Sequence, residues 1–332
     1  MVIVFKHKPS IICSSAVAGP LEKRSVFQSY FDEVVADERF LKKTNEQGQA
    51  VLITQAVQKC LRKSGLNNLD VDYFLSGDLI NQMTPTNFAA QQLAVSFIGM
   101  FSACATSVSS VIVAALLTEL QASRYAIAGA SSHHNATERQ FRYPILYGGQ
   151  KPAYSQWTVT AAGYAVVAAH EKDKPYIASA SVGKVVDFKQ TDPFHMGAAM
   201  APAAFETIVS HLNKRNQTLA TYDVIFTGDL GKVGLQLLKV MLTENGEKSE
   251  DLARIRDAGA EFFGEDQRFQ AGASGAGCSA SVFYSYVLEQ LQSGRYKRVL
   301  LVATGALLSP LSFQQGETIP CTAHAVEIVM EG

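Results

Sequence analysis

The sequence predicts an α/β protein built from two related halves, and three observations lead to this prediction. The chain has 332 residues, of which 47% are apolar, so it can bury a large core. Predicted strands and helices alternate along it, as they do in α/β proteins. A strand–helix–strand pattern occurs twice, at an offset of roughly 150 to 175 residues, which indicates an internal duplication.

The repeat begins with a buried strand that runs into a turn, at residues 71–79 and again at 222–230. Further along each copy, a turn of small residues precedes an apolar helix and carries a cysteine, Cys104 in the first copy and Cys278 in the second. Both helices lead into another apolar strand, at residues 126–129 and 299–303. The shared order of these elements favours duplication over chance similarity.

The repeat divides the chain into predicted halves of residues 1–190 and 191–332. The boundary falls at the polar linker 191–193, because this linker lies between the two copies of the pattern. Residues 243–257 are rich in charge and are predicted to form a solvated surface helix.

Composition excludes several classes of protein. The 29 basic residues nearly balance the 30 acidic ones, which argues against a nucleic-acid binder. The five cysteines are an odd number without tight spacing, so a reducing compartment is favoured over a disulfide framework. The short apolar run 1–5 precedes its basic residues, unlike a signal peptide, and the most apolar windows are only about 10 residues long. We therefore predict no signal peptide and no transmembrane helix.

Cys104 is the leading candidate nucleophile. It lies among small residues at the predicted start of a helix, where the aligned N–H dipoles favour a thiolate. A buried structural cysteine is the competing interpretation, since unpaired cysteines are among the most buried residues in proteins. Cys278 has a similar setting, but bulky aromatic residues follow it, which favours a packing role.

A polar segment at residues 131–144, together with Lys151, is the second candidate site. It follows the carboxyl end of a predicted strand, where α/β sheets commonly bind ligands. Its cations suit an anionic ligand, although a solvated or interface loop explains the same composition. The candidate ligand-binding residues are His133, His134, Asn135, Arg139, Arg142 and Lys151. No metal site is predicted, because adjacent histidines point apart in regular structure and no cysteine or carboxylate lies at ligand spacing.

The carboxyl end supplies two further candidates. Cys321 and His324 lie in a predicted turn that feeds a buried final strand. Either side chain could act as an acid or base if this turn faced Cys104, whereas packing is the alternative role for both.

These features together resemble the stage V sporulation protein AD family, within the thiolase and ketoacyl-synthase superfamily. The superfamily likeness rests on the duplicated halves, Cys104 and the terminal Cys-x-Ala-x-Ala at 321–325. The likeness to the sporulation family spans nearly the whole chain. This likeness is carried by six motifs. They are Gly-Asp-Leu-Ile-Asn-Gln at 77–82, the polar run at 132–144, Tyr-Gly-Gly-Gln-Lys-Pro at 147–152, Thr-Asp-Pro-Phe at 191–194, Ala-Met-Ala-Pro-Ala-Ala at 199–204 and Ala-Thr-Gly-Ala-Leu-Leu-Ser-Pro at 303–310.

The resemblance implies a thiolase-like, duplicated αβαβα fold of five layers, usually a homodimer, with the pocket where the halves meet. It also implies a soluble component of the dipicolinate uptake apparatus of a spore-forming bacterium. Such a protein would bind pyridine-2,6-dicarboxylate at the cytoplasmic face of the membrane around the developing spore, beside membrane-embedded partners. Asp229 would join the polar segment as a ligand contact, and no cofactor is implied.

Departures from the thiolase pattern favour a binding protein over an enzyme. The Gly-Ala-Ser-Gly motif is kept at 272–275, but Phe269 takes the place of the catalytic histidine that precedes it in thiolases. Of the final motif only Cys321 survives. Because catalytic groups act as a unit, a lone nucleophile is poorly equipped for catalysis. The alternative is an acyltransferase or condensing enzyme that acts on coenzyme A thioesters through Cys104, with His324 or Cys321 moving protons.

Overall fold

The computed structural model of the chain describes residues 1–141 and 151–331. The first half contains β1 (Val2–Val4), β2 (Ser10–Ala18), β3 (Glu33–Val34), α1 (Asn45–Ser64), β4 (Tyr73–Gly77), α2 (Thr84–Leu93), β5 (Phe97–Gly99), α3 (Thr106–Glu119), β6 (Tyr125–Ser132), α4 (His134–Phe141), β7 (Trp157–Thr158) and β8 (Ala161–Ala168). The second half contains β9 (Tyr176–Val182), α5 (Met196–Arg215), β10 (Val224–Thr227), α6 (Gly231–Glu244), β11 (Ile255–Asp257), α7 (Ala258–Glu261), β12 (Ala273–Ser274), α8 (Ala276–Val282), α9 (Leu288–Gln292), β13 (Arg298–Ala306), α10 (Pro310–Gln314) and β14 (Cys321–Val329). A π-helical turn, Phe283–Val287, joins α8 to α9.

The strand order repeats, which confirms the predicted duplication. One set of five strands runs β5-β4-β6-β8-β2 and the other runs β11-β10-β13-β14-β9. In both sets the third strand pairs parallel with the second and antiparallel with the fourth. The sets meet through a single pair between Ser10 of β2 and Tyr176 of β9. The chain therefore has the α/β fold that its sequence predicts.

The predicted boundary near residue 190 stays a prediction, and the strand pairing favours an earlier one. β9 lies before residue 190, yet it pairs with β14 from His324 to Val329 and completes the second set. The turn between β8 and β9 is thus the natural division between the repeated units.

Apolar side chains alternate along the strands because successive residues point to opposite faces of a sheet. On β13, Val299 and Leu301 lie in a central core, whereas Leu300 and Val302 lie in an outer one. The helices α3 and α8 fill the central layer, with α1 and α2 outside the first set of strands and α5 and α6 outside the second. These five layers match the architecture that the resemblance implies.

The central layer depends on close backbone contact. On β8, a Cβ added to Gly163 would lie 2.3 Å from the carbonyl oxygen of Ala280 in α8. Glycine is thus required where the first sheet meets the second central helix. α3 is apolar on all sides and largely buried, as expected for a helix between two sheets.

Three segments differ from the sequence predictions. Residues 134–141 form helix α4, whereas the sequence analysis treated them as a polar segment that either binds a ligand or forms a solvated loop, so neighbouring residues point to different sides. Residues 321–325 lie inside β14 and not in a turn before it. Finally, α6 ends at Glu244, and the predicted surface helix over 243–257 gives way to a turn and to β11, whose Ile255 and Asp257 are buried.

Candidate functional site

Cys104 lies in the tight turn that precedes α3. The backbone of Ala103 has a positive φ of 50°, and the N–H of Thr106 donates to its carbonyl at 3.2 Å. The end of β13 backs this turn, since a Cβ on Gly305 would come within 2.1 Å of the carbonyl oxygen of Ser102. This close fit holds Cys104 at the amino end of α3. Its side chain is half-buried, whereas the other four cysteines are buried.

Cys104 opens onto a cavity between the two halves, which we call the Cys104 cavity. Most of its walls are apolar, with a few polar groups near the two central helices. Among the described residues it is lined by Leu79, Phe101, Ala103, Cys104, Thr137, Glu138, Phe141, Thr158, Met196, Met200, Ser274, Gly275, Ala306 and Leu308.

Two helix N-termini converge on the Cys104 cavity. Ala103 and Cys104 lead into α3, and Ser274 and Gly275 lead into α8. The parallel pairing of β7 with β12 places Thr158 beside Ser274 and so joins the halves at this point. Helix N-termini carry partial positive charge and unpaired N–H groups, so this cavity favours negatively charged groups.

Glu138 is the buried carboxylate of the cavity, and sequence analysis did not single it out. Its Oε2 pairs with Nζ of Lys151 at 2.9 Å, and its Oε1 accepts from the hydroxyl of Thr158 at 3.2 Å. The ammonium of Lys151 also lies 5.1 Å from the ring centre of Trp157. The predicted cation Lys151 is therefore linked to the cavity through its ion pair with Glu138, although it is not among the described residues that line the cavity. In the sequence, Glu138 stands out only as the acidic residue among the cations of this polar segment.

The structure does not gather the rest of the polar segment around Cys104. The guanidinium of Arg139 pairs with Glu46, and its side chain is largely exposed. Asn135 donates to Glu38 at 2.5 Å, and the buried ring of His133 lies 3.3 Å from the carbonyl oxygen of Glu38. The remaining predicted contact, Arg142, lies outside the described residues.

His134 has a packing contact on the side of α4 away from the cavity. Its ring stacks on Trp157 with centroids 3.7 Å apart and planes 5° from parallel. Its Nδ1 lies 3.1 Å from the carbonyl oxygen of Thr158, which fixes the orientation of the ring.

Asp229 is fully buried after β10. Its Oδ1 accepts from the hydroxyl and the N–H of Thr304, while its Oδ2 has no hydrogen-bond partner among the described residues. Burial raises the pKa of this carboxyl well above its usual range, and the nearby Asp257 adds to the effect. Burial thus favours the protonated, uncharged form of Asp229.

Cys321 and His324 are both buried in β14. Burial raises the pKa of the Cys321 thiol to about 12, and its sulfur lies in the outer core of the second half. Burial lowers the pKa of His324 to about 4, and its Nδ1 accepts the N–H of Gly183 at 3.2 Å. Neither is among the described residues that line the Cys104 cavity. Phe269 is buried as well and stacks on Phe263.

Two kinds of feature are absent from residues 1–141 and 151–331. There is no group of three or more His, Cys, Asp or Glu side chains placed to hold a metal ion. Over the same residues, no helix has both the length and the apolar character needed to cross a bilayer.

Solved structures of low sequence identity share the fold. The human mitochondrial 3-ketoacyl-CoA thiolase matches with a TM-score of 0.63 at 9% identity, over 98% of this chain and 99% of the thiolase. The 3-oxoacyl-[acyl-carrier-protein] synthase III of Aquifex aeolicus matches with a TM-score of 0.57 at 11% identity, over 97% and 99% of the two chains. These matches confirm a thiolase-like fold.

Sequence comparison gives a much closer relationship. The stage V sporulation protein AD of Bacillus subtilis (strain 168) is 44% identical over 323 residues, which cover 97% of this chain and 95% of that protein. The family model for stage V sporulation protein AD matches residues 1–329. The motifs noted in the sequence and these matches agree, and the chain belongs to the stage V sporulation protein AD family.

Proposed function

We propose that this protein binds dipicolinate in the Cys104 cavity, as a component of the apparatus that loads dipicolinate into the developing spore. The proposal joins membership of the sporulation family to the character of the cavity. Dipicolinate is a flat aromatic ring with two carboxylates, and the cavity combines apolar walls with groups that favour negative charge.

The observation that carries the proposal is the convergence of two helix N-termini on one cavity. The amino ends of α3 and α8 are related by the internal repeat, and each can stabilise one carboxylate. Glu138 would repel a dianion, but Lys151 offsets its charge at 2.9 Å. The helix ends therefore set the preference of the cavity for anions.

Calorimetric titration with dipicolinate and with pyridine-2-carboxylate tests this proposal. We expect dipicolinate to bind and the monocarboxylate to bind more weakly. Ala306→Phe should abolish binding because it fills the cavity, whereas Ala122→Phe should leave it intact because Ala122 is exposed beyond the far end of α3. An absence of heat at about 1 mM dipicolinate would contradict the proposal.

Two further variants separate the cavity from the rest of the basic segment. Lys151→Ala should weaken dipicolinate binding, since it removes the ammonium that pairs with the buried Glu138. Arg139→Ala should have little effect, since Arg139 pairs with Glu46 at the surface. Equal losses for both variants would favour a site on the basic segment, as the sequence analysis proposed.

We further propose that the protein acts as a homodimer, peripheral to the cytoplasmic side of the spore inner membrane and held there by membrane-embedded partners. This follows the family resemblance. Sedimentation of the purified protein tests the dimer. Membrane recovery from sporulating cells, with and without the partner proteins, tests the location.

A second candidate is acyl transfer through Cys104, with a coenzyme A thioester as the acyl donor. The half-buried thiol at a helix N-terminus beside apolar walls favours it. However, no histidine is among the described residues that line the cavity, so this lining offers no imidazole to act as a base. Incubation with acetyl-coenzyme A should increase the mass of the Cys104 peptide if this candidate is correct.

A further inference from the structure

A second cavity lies on the opposite side of α4 and β7 from the Cys104 cavity. Thr158 faces the first cavity and Trp157 the second, as alternate residues of a strand do. We call the second cavity the acidic cleft. Its charged, polar and aromatic lining includes Glu22, Asp37, Glu38, His134, Asn135 and Trp157.

The charges of the acidic cleft are one-sided. It has three carboxyl groups, and no lysine or arginine among the described residues lines it. Asp37 is ionised at neutral pH, because the N–H groups of Leu41 and Arg39 donate to it and lower its pKa. Glu38 receives one bond from Asn135 at 2.5 Å. The cleft therefore attracts cations.

Glu22 supplies an independent indication of a missing partner. It is only 1% exposed, and its Oε1 accepts the N–H of Thr160 at 2.9 Å. Its Oε2 has no hydrogen-bond partner among the described residues. Buried carboxyl oxygens are normally satisfied, so an oxygen left open beside a cleft points to a ligand that binds there. Burial raises the pKa of Glu22 to about 8, so the carboxyl is protonated in the unliganded protein, and a bound cation would favour its ionised form.

We propose that the acidic cleft binds an organic cation that carries an ammonium or guanidinium group. Such a group has several N–H donors that diverge, so it can reach Glu22 and Glu38 together. A single metal ion does not fit, because the carboxyl groups of the described residues are not placed to converge on one ion. The cation is either a free small molecule or a side chain of a partner polypeptide.

Trp157 makes this proposal directly testable. It is the one tryptophan of the chain and lines the acidic cleft, so tryptophan fluorescence reports on this region. The full-length protein is titrated at constant ionic strength with arginine amide and with citrulline amide, which has a neutral ureido group in place of the guanidinium. We expect a saturable change with arginine amide and none with citrulline amide.

Two variants and a matched control locate the binding. Glu38→Gln should weaken arginine amide binding by about tenfold, since it removes a charge-assisted hydrogen bond. Glu22→Gln should weaken it by a similar factor, since an amide cannot ionise towards the bound cation as the carboxyl can. Glu244→Gln, an exposed change on α6, should have no effect. Circular dichroism confirms that each variant is folded, and Glu38 is half-buried, so its substitution leaves the core intact.

The source of the cation is tested with a blocked Gly-Arg-Gly peptide. Tighter binding of the peptide than of arginine amide supports a partner polypeptide, and equal binding supports a free cation, so both results uphold the proposal. It is overturned if arginine amide gives no saturable change up to about 10 mM, if citrulline amide gives the same change, or if both glutamine variants bind as the unsubstituted protein does. None of these results depends on dipicolinate binding.

Discussion

Glu22 gives the protein a specific dependence of stability on pH. Burial raises the pKa of this carboxyl from 4.5 to about 8 in the folded chain, whereas the unfolded chain keeps the ordinary value. Between these two values the unfolded chain releases a proton that the folded chain retains, so rising pH favours unfolding. The stabilisation from protonated Glu22 is complete below pH 4.5 and is lost as the pH rises to about 8.

The magnitude follows from the size of the shift. One pKa unit corresponds to about 1.4 kcal/mol, so an increase of about two pH units within this window costs about 2.7 kcal/mol through Glu22. Glu22→Gln removes the titration but keeps an oxygen that can accept the N–H of Thr160. The free energy of unfolding of the variant should therefore fall by about 2.7 kcal/mol less than that of the unsubstituted protein between about pH 5.5 and 7.5.

Urea unfolding followed by circular dichroism at several pH values measures this difference. Comparing how the free energy of unfolding changes with pH in the two proteins removes any pH-independent cost of replacing the carboxyl group by an amide. Glu244→Gln serves as the control, because Glu244 is exposed to water and should follow the unsubstituted protein. Parallel pH profiles for Glu22→Gln and the unsubstituted protein would refute the claim that Glu22 is buried and protonated.

Three further outcomes are expected. Gly163→Ala should lower the free energy of unfolding by about 1–3 kcal/mol or more, because the new Cβ would overlap the backbone of α8; an unchanged urea midpoint would contradict the close contact. Iodoacetamide should label the folded protein at Cys104 alone, and dipicolinate should slow the reaction; peptide mass spectrometry would reveal labelling of any buried cysteine, which would count against the described burial. Burial lowers the pKa of His324 to about 4, so the free energy of unfolding should fall as the pH drops from 6.5 towards 4. In His324→Asn this loss should be smaller by about 2.7 kcal/mol over about two pH units. If the variant and the unsubstituted protein lose stability equally in acid, His324 is not a buried neutral ring.

The fold could be predicted because its signals are local. The segments 71–79 and 222–230 contain the observed strands β4 and β10. Further along each copy, a central helix, α3 or α8, has a cysteine near its start. Apolar runs and the alternation of apolar with polar residues depend only on neighbours in the sequence, so they can be recognised without the tertiary structure. The specific polar motifs likewise indicated the family that the comparisons establish.

The candidate site could be predicted only in part, because residues that are adjacent in sequence point to different sides of a helix or strand. In α4, successive residues point about 100° apart, so Glu138 faces the Cys104 cavity while Arg139 reaches Glu46 at the surface. On β14, His324 and Cys321 became buried in a strand that had been expected to start later. The acidic cleft escaped notice because Glu22 and Glu38 are far in sequence from Trp157.

The sequence by itself determined the duplicated α/β body, the family and the position of Cys104 before a central helix, since each depends on residue order and short-range pattern. Only the tertiary structure decided which charges meet. It brought the amino ends of α3 and α8 to one cavity and paired Lys151 with Glu138. It also gathered three carboxyl groups into a separate cleft. These outcomes depend on how strands and helices pack across the chain, and no local pattern records that packing.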